Sequence, residues 1–165
     1  MQDNQRQTFW GYIAGIMDAD GCFMIIRQKR GRVSLKIGEF SLAHMAALKI
    51  AMIEEEAVSF ITNEMGYGQY RLESARKSRS KSKPIYHWYL RERSKVIEFL
   101  INVIPHLRVK KNRAEFLLDF CKRMEQYTDK RFCKKLTTDE LNYREEAYIK
   151  MREFNGNKVA ATTKS

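Results

Sequence analysis

The chain has 165 residues, 44% of them apolar, and carries 31 Lys plus Arg against 20 Asp plus Glu for a net charge of +11. That is enough apolar matter for one core, so a single domain over residues 1–154 with a disordered tail over 155–165 is expected. Three cysteines without a CxxC pair exclude a disulfide scaffold and a zinc module, no stretch reaches the roughly 18 apolar residues of a membrane span, and Met1–Gln5 carries no apolar signal core. An intracellular, reducing location, in a cytoplasm or an organelle, is the expectation.

Ten of the eleven excess positive charges fall in two windows, Arg27–Lys36 and Arg71–Lys83, while the rest of the chain is nearly balanced. Charge concentrated in this way favours a face for a polyanion over general solubility.

In chain order, Thr8 reads as the N-cap of a helix through Trp10, Ile13 and Met17, which ends where Asp18-Ala19-Asp20-Gly21 changes the backbone. Cys22–Lys29 and Arg32–Phe40 alternate around Arg30-Gly31, the pattern of a β-hairpin with Gly31 supplying a positive φ. Leu42–Met65 favours one long helix, stopped by Gly66 and Gly68, with Glu54, Glu55 and Glu56 solvated. Gln69–Arg76 and Ile85–Arg91 predict a second hairpin, joined by a Ser/Lys/Arg run too polar to pack. Ser94 caps a helix that Pro105 ends, and another runs from about Lys111 to Tyr127. Thr137 with Glu140 forms a capping box before a last helix near Asp139–Met151. The order α, ββ, α, ββ, α, α, α gives an α+β fold with an antiparallel sheet.

Period-two alternation assigns Phe23, Ile25, Val33, Leu35, Ile37, Tyr70, Leu72, Tyr86, Trp88 and Leu90 to the face that meets the helices. The opposite face carries Met24, Ile26, Gln28, Arg30, Arg32, Ser34, Lys36, Arg71, Glu73, Lys77, His87 and Tyr89. Taken singly, each is as well explained by the solvated side of a half-buried sheet. As a set they are almost wholly cationic, with groups able to bond base edges, and a β-ribbon fits the major groove of double-stranded DNA. Arg79, Lys81 and Lys83, interleaved with serines, suit phosphates.

Gly11, Ala14 and Gly15 leave little side-chain volume on one surface of the first helix, so two copies could pack backbone to backbone. Such packing brings two Asp18 and two Asp20 together at the negative ends of two helices, where a divalent cation would relieve the repulsion. A calcium loop of the EF-hand kind is excluded, because Cys22-Phe23-Met24-Ile25 follows without further ligands. Oxygen donors alone favour Mg²⁺, the ion of phosphodiester hydrolysis by clustered carboxylates.

Ile13-Ala14-Gly15-Ile16-Met17-Asp18-Ala19-Asp20-Gly21 resembles the LAGLIDADG motif, identical at six of nine positions. The element order from Phe9 to Tyr127 agrees with the single-motif, homodimeric branch of LAGLIDADG homing endonucleases, an αββαββα core with additional C-terminal helices and a DNA-binding saddle. The resemblance implies a homodimer cutting both strands of a long pseudo-palindromic DNA target with Mg²⁺. Asp20 and the Ala19 carbonyl would hold the metal, and Asp18 would anchor the helix end. Leu107-Arg108-Val109-Lys110-Lys111-Asn112 is similar to the family's segment bearing an active-site lysine, which makes Lys110 its counterpart. Near the end of the second strand, where the family often has a polar Gln, Ser41 is the candidate and Glu39 the runner-up. An intron maturase binding RNA, or a DNA-binding regulator that does not cut, are the alternatives on the same fold.

Overall fold

A computed structural model describes residues 3–30, 41–73, 83–127 and 136–156. The elements are α1 (Asp3–Ala19), β1 (Gly21–Arg30), β2 (Ser41–Met52), α2 (Glu55–Met65), β3 (Gln69–Glu73), β4 (Ile85–Leu90), α3 (Arg93–Val103), a 3₁₀ turn at Ile104–His106, α4 (Lys111–Gln126) and α5 (Thr138–Phe154). The expected α+β class and order hold. The four strands form one antiparallel sheet in the order β1-β2-β4-β3.

The helices cover one face of that sheet. Phe23 and Ile25 of β1, Ala46, Leu48 and Ile50 of β2, and Trp88 and Leu90 of β4 are buried in one cluster with residues from all five helices. Tyr70 lies on the same side and donates to Glu55 at 2.7 Å, yet Tyr70 and Leu72 stay exposed because β3 is an edge strand. Gly68 passes so close to Trp88 that a Cβ would lie 2.3 Å from the indole nitrogen, and its φ of +95° suits only glycine.

The long helix expected over Leu42–Met65 is a strand followed by a helix. Gly21 pairs with Ile50 and Arg30 with Ser41, so the partner of β1 is Ser41–Met52 and the connection runs through residues 31–40. The strand expected at Arg32–Phe40 and the Gly31 turn lie outside the described residues. Alanine, leucine and methionine carry good helix propensity, which pairing in the sheet overrides. Ala43, Met45 and Ala47 placed on the opposite parity hid the alternation of His44, Ala46, Leu48 and Ile50.

Two caps differ as well. Thr8 lies inside α1 and bonds back to the Asn4 carbonyl at 2.8 Å, because the helix begins a turn and a half earlier. Glu92 occupies the cap position of α3, with Ser94 two residues on and bonded to the Glu92 carboxylate. The Thr137 capping box is present, its hydroxyl accepting from the Glu140 amide.

Helix α5 braces the first hairpin from the core side. Arg27 and His44 are cross-strand partners, and both bind Glu145, His44 through Nε2 at 3.0 Å. The Arg27 guanidinium also lies 4.7 Å from the Tyr148 ring. The His44 side chain is buried, its Nδ1 has no partner among the described residues, and burial pulls its pKa below the usual 6.5 despite Glu145. A depressed native pKa means that the unfolded chain binds the proton more readily, so stability present above about pH 6.5 is lost as pH falls through the native value. Urea midpoints of the wild type should therefore drop between pH 7.5 and pH 5 by more than those of His44→Gln, which keeps an N–H for Glu145 without a titrating ring. Equal drops would remove His44 from the acid response.

Candidate active site

The junction between α1 and β1 is held by an exchange of charges with the start of α4. Asp18, at the C-terminal end of α1, accepts the backbone N–H groups of Arg108 and Lys110 at 2.8 Å and of Val109 at 3.2 Å. Those amides are the free donors ahead of α4, where a carboxylate is favoured. Burial alone would raise the Asp18 pKa, but the three N–H bonds and the Lys110 charge hold it below the usual carboxylate value. In return, Lys110 Nζ donates to the carbonyls of Met17 and Ala19 at 3.0 Å and of Gly21 at 2.7 Å. Burial and Arg113 lower the Lys110 pKa against the pull of Cys22, Asp18 and Asp20.

This clamp leaves Asp20 exposed just beyond α1, its amide bonded to the Ile16 carbonyl at 2.8 Å. Among the described residues no three His, Cys, Asp or Glu side chains lie together as a metal cage. One chain offers the Asp20 carboxylate and the Ala19 carbonyl, which already accepts from Lys110. That sparse oxygen set fits Mg²⁺, which takes one or two carboxylates and fills its shell with water and phosphate oxygens.

Directly opposed residues of an antiparallel pair share a face. The register therefore continues the face beside Asp20 as Cys22 opposite Lys49, Met24 opposite Ala47, Ile26 opposite Met45 and Gln28 opposite Ala43, with Tyr89 next to Lys49 and Gln69 beyond. Met24, Ile26, Gln28, Lys49 and Tyr89 are partly exposed here, and Arg71 and Glu73 fully so. Lys83 is exposed ahead of β4, and Arg30 closes β1. Arg32, Ser34, Lys36, Lys77, Arg79 and Lys81 lie outside the described residues.

Four expectations are corrected. His87 is 7% exposed, because β4 is a central strand with neighbours on both sides, and its Nε2 is taken up by Glu73 at 2.9 Å, so the ring is not presented on the open face. Arg27, counted in the first basic window, faces the helices and is spent on Glu145. Ser41 pairs with Arg30, nine residues along β1 from Gly21 and so roughly 30 Å from the carboxylates at the strand rise of about 3.3 Å, and cannot serve there. Ala14 is 1% exposed in the chain's own core, which removes it from the proposed helix-pairing surface.

Gly11 and Gly15 are exposed, and a Cβ at either would meet nothing of its own chain within 4 Å. Beside them Tyr12 and Phe60 stand 45% and 44% exposed, their rings 5.7 Å apart edge to face.

Sequence reasoning did not place Lys49 on this face. It lies in a run of alanine, leucine and methionine that reads as a helix until the strand register is known. The parity it shares with Ala43, Met45 and Ala47 is the signal that would have found it.

The model of the LAGLIDADG endonuclease family matches residues 13–124. Solved structures with the same fold include the homing endonuclease I-CvuI in complex with the I-CreI target in the presence of Mg (TM-score 0.73, 17% identity, covering 96% of this chain and 89% of that one). The archaeal intron-encoded homing endonuclease I-Vdi141I complexed with DNA gives a TM-score of 0.66 at 14% identity, again over 96% and 89%. The DNA-bound meganuclease I-SmaMI gives 0.61 at 16% identity, covering 85% of this chain but 44% of that one. No curated protein matches the chain. The chain belongs to the LAGLIDADG endonuclease family, and its activity is that of a DNA endonuclease.

Replacing Asp18 by Ala orphans three backbone donors at once. A loss of about 1–2 kcal/mol in urea unfolding at pH 7 is expected, shrinking as pH falls below the usual carboxylate range, where the wild-type carboxyl protonates. An Asp18→Ala chain as stable as the wild type would mean that water satisfies those amides equally well.

Proposed function

We propose that the protein is a homing endonuclease that works as a homodimer, gripping a long pseudo-palindromic duplex and cutting both strands with Mg²⁺. The observation that carries this reading is the position of Asp20, exposed at the foot of a helix whose glycine surface meets nothing of its own chain. Two such helices packed at Gly11 and Gly15 around a two-fold axis bring two Asp20 carboxylates to one place, and Tyr12 and Phe60 gain apolar cover. The match to 44% of I-SmaMI supports it too, since a second unit of this size fits into the remainder.

In this reading Asp20 and the Ala19 carbonyl hold the cation, which when bound polarises the phosphodiester and lowers the pKa of water. Asp18 and Lys110 keep the α1–β1 junction in place, so that Asp20 needs no rearrangement on binding. Gln28, Arg71, Tyr89, Met24 and Ile26 line the surface for the DNA, polar groups for base edges and phosphates, apolar ones for thymine methyls. A dimer doubles the net positive charge, so affinity should fall steeply with salt. The free thiols Cys22 and Cys121 suit a reducing, intracellular setting.

The test is cleavage of a randomised duplex library with Mg²⁺, sequencing the ends. Asp20→Asn should lose cleavage by at least a hundredfold and keep salt-sensitive binding; loss of both would make Asp20 structural. Tighter binding to structured intron RNA than to any duplex, without cutting, would favour the maturase. A Cβ at position 15 meets nothing within 4 Å among the described residues, so Gly15→Leu should keep the wild-type fold by circular dichroism and sediment as a monomer. A variant that remains dimeric would place the interface elsewhere.

A further inference from the structure

We propose that α5 splints the outer part of the β1–β2 hairpin, and that Glu145 is a specificity-determining positioning residue, which touches no DNA itself but fixes where Ile26 and Gln28 stand. This rests on the nuclease reading above and concerns how that same surface chooses its sequence.

The sheet is not equally supported along its length. Strand β4 pairs with β2 only over Leu48–Met52, whereas β1 pairs with β2 from Gly21–Ile50 out to Arg30–Ser41. From the Met24–Ala47 pair outward the hairpin is therefore a two-stranded ribbon, with no third strand beside it among the described residues. Two-stranded ribbons twist most strongly and are marginally stable alone. The open face of this ribbon carries Met24, Ile26 and Gln28, so the surface offered to DNA lies on the part of the sheet with least support from its own strands.

Helix α5 holds the ribbon from the other face at two points. Near its start, Asn155 Nδ2 donates to the Phe23 carbonyl at 2.8 Å. Farther out, one Glu145 oxygen takes the Arg27 guanidinium and the other binds His44 Nε2 at 3.0 Å, and Arg27 and His44 are directly opposed across the two strands. The spacings agree, since Glu145 to Asn155 is roughly 15 Å of helix and Phe23 to Arg27 roughly 13 Å of strand. Tyr148 packs against the same pair, its ring 4.7 Å from the Arg27 guanidinium and 6.2 Å from the His44 ring.

Successive side chains of a strand point to opposite faces, so Ile26 and Gln28 share their peptide units with Arg27 and project the other way. Holding the Arg27–His44 pair fixes their height and tilt. The Arg27 and Glu145 side chains are 38% and 31% exposed, and an ion pair so open adds little to global stability. What it adds is a fixed distance from the helix to both strands at once. A base contact discriminates only while donor and acceptor are held at hydrogen-bond distance, and a ribbon free to tilt would recover part of a lost bond and forgive a wrong base pair.

The randomised duplex library, cut and sequenced at the ends, reads this directly. Glu145→Ala should flatten base preference about tenfold at the outer positions of each half-site, with the preferences nearest the cut and the place of cutting as in the wild type. Glu145→Gln, which still offers an acceptor to Arg27, should keep most of the outer preference. In the free protein, hydrogen exchange read by mass spectrometry should quicken over residues 24–28 and 43–47 of Glu145→Ala and not in β4 or α3. Asn155→Ala, which removes only the inner point, should quicken exchange around Phe23.

Wild-type preferences at every position in Glu145→Ala overturn the proposal. So does an even loss of cleavage over all positions with exchange rising throughout the fold, which would make Glu145 a residue of general stability. Should Glu145→Ala fail to fold, Asn155→Ala decides, and unchanged exchange around Phe23 would refute the splint. If the wild type neither binds nor cuts any duplex, it is the nuclease reading that fails, and the exchange contrast still decides whether α5 stiffens the ribbon.

Discussion

Everything that positions the site depends on one exchange of side chains between two helix ends. Helix α1 ends with unpaired carbonyls and a carboxylate; helix α4 begins with unpaired amides and a lysine. Asp18 crosses to the amides and Lys110 crosses to the carbonyls, so each charge sits at the dipole end of opposite sign. The pair closes a contact about ninety residues apart in sequence and fixes the direction in which the chain leaves α1. Gly21 follows at a place where a Cβ would fall 2.5 Å from Met17, so the turn into β1 tolerates no side chain. Asp20, caught between clamp and turn, has no freedom to retreat into the fold.

The sheet distributes its polar groups according to that junction. On the helix side, charge is admitted where it is paired, as with Arg27, His44 and Glu145 under the hairpin, or Glu140 between Arg123 and Arg144. Where the pair is buried, as between Glu140 and Arg144, the charges contribute position more than stability. On the other side, Lys49 has no such answer among the described residues. The brace from α5 matters because the hairpin it supports carries Met24, Ile26 and Gln28 on the far side.

The legibility of the chain followed the density of its local signals. The Ile13–Gly21 run, the order of elements, the Thr137 capping box and the burial of Phe23, Ile25, Trp88 and Leu90 were all readable, because each is set by residues close in sequence or by plain alternation. The Leu42–Met52 segment was misread because alanine is apolar on either face, so alternation disappears and helix propensity speaks instead. That one error displaced the end of the second strand, and with it the search for a polar group near the carboxylates. Ser41 stands at the end of the strand far from the carboxylates, and Lys49 lies inside what reads as a helix. Similarly, Ala14 and Gly15 look equivalent as small residues, and only the rotation of α1 against the core shows one buried and the other open.

Pairing along the glycine surface, as proposed, would explain why a fold this well clamped offers so few ligands for a metal among its described residues. A chain that held its own complete cage would have to crowd several carboxylates at the negative end of α1, against both their mutual repulsion and the dipole. Here each chain keeps one exposed carboxylate, and Lys110 neutralises the helix end beside it. Two chains joined along Gly11 and Gly15 would assemble the remainder, so the repulsion arises only in the dimer, where DNA and cation can be present to relieve it. The separation also guards specificity: a monomer would carry the groups that recognise half a site without the carboxylate pair needed to cut it.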